Sequence, residues 1–166
     1  INGTVSHSPN SSTQEYILNL TVTNDLTINS GGSINVDGAG YGAHPTNTSV
    51  VGYGPGAGTS VGGNTPGSGG SYGGSGGADD RNTAGGSAYG SSTNPVQLGS
   101  SGGNADTIGG DAGEGGGLAL ITVTGTTTID GSITSNGIDG ISDGNDGSGG
   151  GSGGAINLTT GGLEGT

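Results

Sequence analysis

Asp139, Asp143, Asn145 and Asp146 crowd one short loop, and Asp106, Asp111 and Glu114 crowd another. Carboxylate and amide oxygens on a glycine-rich backbone are the donors that Ca²⁺ takes. The string GGNADTIGGDAGEGG has the Gly–Asp flavour of calcium-binding nonapeptide repeats, but its Gly and Asp positions are out of register. DGNDG lacks the bidentate Glu that closes a complete EF loop. Asp and Asn also belong in turns on backbone grounds alone. Asp139, Asp143, Asn145 and Asp146 are therefore the candidate Ca²⁺ ligands, set against solvated acidic turns, and no other cofactor is expected.

Catalytic chemistry finds less support. His7 and His44 both sit in polar stretches, with no Cys and no Lys in the chain. The one basic side chain that could meet an acidic polysaccharide is Arg81, inside an Asp-Asp-Arg turn. Paired carboxylates can hydrolyse glycosides, yet Asp is so common in the turns here that a pair carries no information. The reading is that this is not an enzyme. Asn2, Asn10, Asn19, Asn47 and Asn157 fit the N-glycosylation pattern. Fourteen Asn in a chain one quarter Ser and Thr give about that many by chance. Glycans are compatible with the outward Asn, Ser and Thr rather than argued for by them.

The formal charge of −12, from thirteen acidic residues against one Arg, excludes a phosphate backbone as partner. It opposes an anionic membrane surface for the same reason. No apolar run approaches the ~20 residues of a membrane span. There is no starting Met and no signal-like segment, so a processed product or an excised segment is expected. A lysine-free, cysteine-free, acidic chain rich in Thr, Ser, Asn and Gly points to an extracellular or cell-surface setting.

The elements that would position these residues come from a repeat. GGGLALITVTGTTTIDGSITSNG, residues 115–137, alternates apolar and Thr positions as strands do. LNLTVTNDLTINSGGSINVDG, residues 18–38, is an earlier copy. Ile121 aligns with Leu20, Val123 with Val22 and Ile129 with Ile28; after a two-residue gap Ile133 aligns with Ile34 and Gly137 with Gly38. The opening INGTVSHS matches IDGSITSN, so Ile1 answers to Ile129 and Val5 to Ile133. A third copy starts at Ala155–Thr159 and reaches Leu163. Three strand positions per copy follow. The expected core is a thin column of Leu18, Leu20, Val22, Leu26, Ile28, Ile34, Val36, Ile121, Val123, Ile129, Ile133, Ile156 and Leu158. Thr122, Thr124, Thr126 and Thr128 are expected to point outward, as are Thr21 and Thr23.

One domain, 1–166, is expected, with Gly-rich insertions at 37–117 and 136–154. Forty-five glycines and 25% hydrophobic residues rule out a wide globular core. A narrow solenoid or bundled polyproline-II helices need few large side chains. Gly67, Gly70, Gly73 and Gly76 recur every third residue, as do Gly110, Gly113 and Gly116, and Gly144, Gly147, Gly150 and Gly153. That is the polyproline-II period, and it lines one edge of each segment with glycine. Tyr41, Tyr53, Tyr72, Tyr89, Val96 and Leu98 would pin such a layer, which a flexible Gly/Ser linker does not carry. The fold expected is all-β: a Gly-rich β-solenoid, parallel β-helix-like, with polyproline-II insertions. The alternative is a small β-sandwich or jelly roll.

The patterns GSGGSYGGSGG, GGSAYG…NPVQLGSSGG, GGGLALITVTGTTTIDGSITSNG and GSGGGSGGAINLTTGGL resemble the glycine-rich repeat regions of large predicted bacterial surface or secreted proteins. The resemblance implies an extracellular, repetitive, β-solenoid-like structural element with no catalytic residues to carry over. The expected function is the structural subunit of an extracellular filament or surface fibre. Copies of the chain are the expected partners. They would join head to tail through incomplete terminal rungs carrying Ile1, Val5, Ile156, Leu158 and Leu163, unless the chain is cut from a longer tandem repeat. The alternative is an ice-binding or calcium-binding surface or adhesin module, the outward Thr array being the case for ice.

Overall fold

The computed structural model describes residues 1–45, 50–62, 65–105, 111–142 and 146–165. Among them the named elements are all strands: β1 (Thr4–Val5), β2 (Leu18–Val22), β3 (Leu26–Ile28), β4 (Ser33–Asn35), β5 (Leu118–Ile129), β6 (Ser132–Thr134) and β7 (Ala155–Gly165). Every pairing between them is parallel. The sandwich or jelly-roll alternative is thereby corrected. Those folds are built of antiparallel hairpins, whereas here each strand returns beside its own earlier copy after a long connection.

The register is that of the internal repeat. Leu20 lies beside Ile121 and Ile121 beside Leu158. Farther along the same β5, Leu26 meets Thr127 and Ile28 meets Ile129. In the second sheet Val5, Ile34 and Ile133 line up across β1, β4 and β6. Ile1 belongs beside Ile28, because the Asn29 N–H donates to the Ile1 carbonyl at 3.0 Å. Of the three strand positions expected per copy, the first two run together as one unbroken strand in β5 and again in β7. The boundary between them survives as a bulge in the β5–β7 pairing between Val123 and Thr126.

Alternation decides which side chains go inward. Ile28, Ile34, Val36, Ala119, Ile121 and Val123 are fully enclosed between the two sheets, with Leu18, Leu20, Val22, Ile129, Ile133 and Leu158 packed against them. Ile156 keeps its place in the expected column but is 39% exposed. It occupies the place of Ala119 in β7, where no further strand covers it among the described residues. Even-numbered residues of β5 face the other way. Leu118 packs with Leu98 and Ala155 in a second cluster, against Ile17, Tyr41, Tyr72 and Leu120. The outward Thr row is also shorter than expected. Thr122 and Thr124 are exposed, Thr126 and Thr128 half-buried, and Thr127 fully buried in the inward column. Its hydroxyl donates to that of Thr160 at 2.9 Å, which satisfies the buried group.

The glycine-rich insertions form a layer of extended segments joined by backbone hydrogen bonds that step by three residues. Gly73, Gly76 and Asp79 donate to the carbonyls of Tyr89, Gly86 and Thr83 at 2.8, 2.9 and 3.1 Å. Ser148, Gly151 and Gly154 donate to Ile141, Ile138 and Ser135 in the same cadence. The central segment serves three neighbours in rotation. Gly99 and Gly102 bond to Gly116 and Gly113, Ser101 and Asn104 bond to Tyr53 and Val50, and Gly103 bonds to Ser68. Glycine is obligatory where segments nearly touch. A Cβ on Gly67 would lie 1.7 Å from the Gly103 carbonyl oxygen, and one on Gly102 would lie 2.0 Å from that of Gly149.

Candidate functional site

The chemically conspicuous parts of the molecule are the outer strands of its sheets. β2 and β7 flank β5, and β1 and β6 flank β4, so each outer strand has one bonded and one free edge among the described residues. An unpaired strand edge offers a row of N–H and C=O groups to another strand, and proteins usually blunt it with Lys, Pro or inward charge. β2 (LNLTV) has no charge and no Pro; β7 has one charge, Glu164. The inward columns end at these strands without a cover. Leu163, in the column of Leu26 and Thr127, is 64% exposed. Of the expected assembly residues, Ile156, Leu158 and Leu163 thus share one face, while Ile1 and Val5 belong to the opposite end of the stack. Those five are brought together only across two ends, never within one site.

The candidate cation loop is assembled in part. Asp143 and Asn145 lie outside the described residues. Asp139 is exposed, and the Asp146 carboxylate stands 3.5 Å from the Arg81 guanidinium. Among the described residues no three of His, Cys, Asp and Glu are grouped as metal ligands would be. A surface cleft of about 560 Å³ brings His44, Asp111 and Glu114 to its walls beside Pro9, Asn10 and Ile138. His44 is stacked on Tyr53 there, with ring centroids 5.0 Å apart. His7 is structural in its placement: its Nε2 faces the Leu118 N–H at 3.3 Å at the start of β5, and its Nδ1 the Ser8 carbonyl at 2.8 Å.

The sequons fare unequally. Asn19 is exposed on the outward face of β2, and Asn2 is exposed with its Oδ1 accepting from Asn29. Asn157 is half-buried and donates to Asn94 Oδ1 at 3.2 Å. Asn10 is buried, its amide committed to the N–H groups of Glu15 and Tyr16 and the carbonyls of Tyr16 and Ala39. Asn47 lies outside the described residues.

No protein family, no curated protein and no solved structure matches the chain.

Residues that composition alone passes over are the buried hydroxyls and amides. Ser68, Ser71, Ser100, Ser101 and Asn104 are among the most enclosed side chains in the molecule. Ser101 Oγ accepts the Tyr53 N–H at 2.7 Å, Ser100 Oγ the Gly56 N–H at 3.0 Å, and Ser68 Oγ the Thr59 N–H at 2.8 Å. Asn104 donates to the His44 carbonyl and accepts from the Ala112 N–H, both at 2.9 Å. Tyr89 completes the network: its hydroxyl accepts from Ser100 Oγ at 2.8 Å and donates to the Leu98 carbonyl. Burial pushes its pKa up to about 12. The signal for Ser68 and Ser71, and for Ser101 and Asn104, is their own spacing of three within the glycine runs.

Proposed function

We propose that this chain is a structural, non-enzymatic module of an extracellular filament or surface fibre, whose copies join head to tail. In this reading β2–β3–β4, β5–β6 and β7 are successive turns of a short β-solenoid, stacked in register. The glycine-rich layer is a bundle of polyproline-II helices, because only a helix of three residues per turn returns each N–H to the same neighbour every third residue. The observation that carries the proposal is the pair of free edges. β2 and β7 lie on opposite sides of β5 in one common register, with uncovered apolar residues and almost no charge to repel a further strand. A contact made by different faces of identical copies grows into a fibre when each step is a translation along the stack. Continuing the parallel strands requires such a translation, and not a rotation that closes a ring.

The extracellular setting rests on composition: no Cys, no Lys and a charge of −12. The likeness to glycine-rich repeat regions of bacterial surface proteins agrees with it. Electron microscopy and sedimentation of the purified chain at rising concentration test the proposal. Fibres are expected; a monomer that persists at high concentration would refute it. A second reading, ice binding, is favoured by one feature. Thr21, Thr122 and Thr159 are exposed in a single cross-strand column, with Thr124 two residues farther along β5 and Thr23 exposed just past the end of β2. A thermal-hysteresis measurement decides that reading, since a flat surface that binds ice lowers the freezing point below the melting point.

A further inference from the structure

We infer that the occupant of the free β7 edge is β2 together with β3 of a second copy, set three strand spacings along the stack, about 14 Å. The inference rests on the filament reading and specifies its interface. β7 spans both the part of β5 that pairs with β2 and the part that pairs with β3. Its free side therefore offers the next copy the two places that β5 offers this one.

Each inward column continues across such a junction. Ile156 would meet Leu18 of the next copy, Leu158 would meet Leu20, and the exposed Leu163 would meet Leu26, since these share columns within the chain. On the second sheet the free edge of β6 would receive β1 of the next copy, placing Val5 on Ile133 as Ile34 is placed now. The junction turn is then a composite, with β7 from one copy and β1 from the next. A two-fold pairing of β7 with β7 lacks this match. It would run antiparallel, leave Leu163 without its column and give β6 no partner of the right register.

One place is claimed twice. Ile1 lies beside Ile28 and Gly165 beside Ile129, which are equivalent positions. In the shared turn the isoleucine fills the column, and Gly165, with no side chain to bury, yields.

The chain has no Cys, so introduced thiols report the junction alone. Thr21 and Thr159 are exposed on the outward face, in one column, and β5 separates them within a copy. Thr21→Cys and Thr159→Cys chains are prepared separately, mixed under assembly conditions and treated with a short bismaleimide. Efficient cross-linking is expected in the mixture and not in either chain alone, together with an axial repeat of three strand spacings in the fibres. Cross-linking of Thr159→Cys by itself would overturn the inference in favour of a two-fold contact. Fibres that form without the mixed cross-link, or with another axial repeat, would overturn the register while leaving the filament reading intact. Absence of any fibre would remove both. Asn19→Cys with Asn157→Cys, one column over, repeats the test should either threonine variant fail to fold.

Discussion

The sheet stack and the glycine-rich layer solve the same problem with opposite means. Between the sheets, Ile28, Ile34, Ile121 and Val123 exclude water by apolar area, and burying each such side chain is worth about 1.5–3 kcal/mol. In the layer the enclosed groups are Ser68, Ser71, Ser100, Ser101 and Asn104, and backbone carbonyls stand where side chains would be. Its cohesion is the completeness of its hydrogen bonding: the N–H groups of residues 99–104 all find acceptors on neighbouring segments. Net gain per bond is about 1 kcal/mol, whereas a buried group left without its partner costs about 1–3 kcal/mol. The lesson is that a chain only 25% hydrophobic can order by pairing its polar groups. Among the described residues the buried side-chain atoms without a partner are Tyr72 Oη, Asp79 Oδ2 and Thr134 Oγ1.

The difference predicts how each region breaks. The largest effect is expected from Ile121→Asp, which sets a charge in the apolar column and should cost more than about 4 kcal/mol. Circular dichroism and urea titration should find the whole chain unfolded; an unaltered spectrum and midpoint would show that the column is not the core. Ile129→Asp should cost less, because Ile129 is only half-buried. Next comes Gly102→Ala, whose Cβ would lie 2.0 Å from the Gly149 carbonyl oxygen. Forced separation of the segments should cost about 3 kcal/mol. Hydrogen exchange should quicken across residues 99–104 while Ile121 and Val123 stay protected. Equal loss in both places would mean the two regions are one cooperative unit.

Asn104→Ala should cost about 2 kcal/mol by stranding the His44 carbonyl and the Ala112 N–H, again read in the layer before the sheets. A smaller effect belongs to Tyr89. Its folded pKa, pushed up to about 12 by burial, exceeds its unfolded value near 10. The folded state therefore holds a proton that the unfolded chain gives up. Stability should be level up to about pH 10 and decline from there towards 12. Tyr89→Phe should flatten that decline, and an identical decline in the variant would assign it elsewhere. The smallest change is expected from Val61→Thr, at an exposed position, within about 0.5 kcal/mol.

Much of the sheet architecture was legible because strand alternation is local and the repeat states the register. The pairs Leu20–Ile121, Ile28–Ile129 and Ile34–Ile133 are side by side as the alignment of copies requires. The pinning role of Tyr41, Tyr72 and Leu98 was legible too, since large side chains in a glycine run need a surface to cover. Val96 was not, being 40% exposed. Thr127 was passed over: as a threonine it does not look like a core residue, yet its parity with Ile121 and Val123 sends it in. Of the candidate surfaces, the end residues Ile156 and Leu163 were recognisable as column members. Their place on an open terminal rung was expected as well, while the exposure of Leu163, 64% against 39% for Ile156, came only from the structure.

By itself the sequence determined the columns, their order and the three-residue cadence of the glycine segments. Each of these is written in the spacing of neighbours along the chain. Only the tertiary structure decided which glycine segment lies against which. One glycine edge is chemically the same as another, and the choice falls to backbone carbonyls and to Ser68, Ser100, Ser101 and Asn104, whose partners are up to 60 residues away. It also decided which face of β5 the layer would cover. That depends on Leu118 and Leu98 meeting across the fold, a contact between residues that no local period connects.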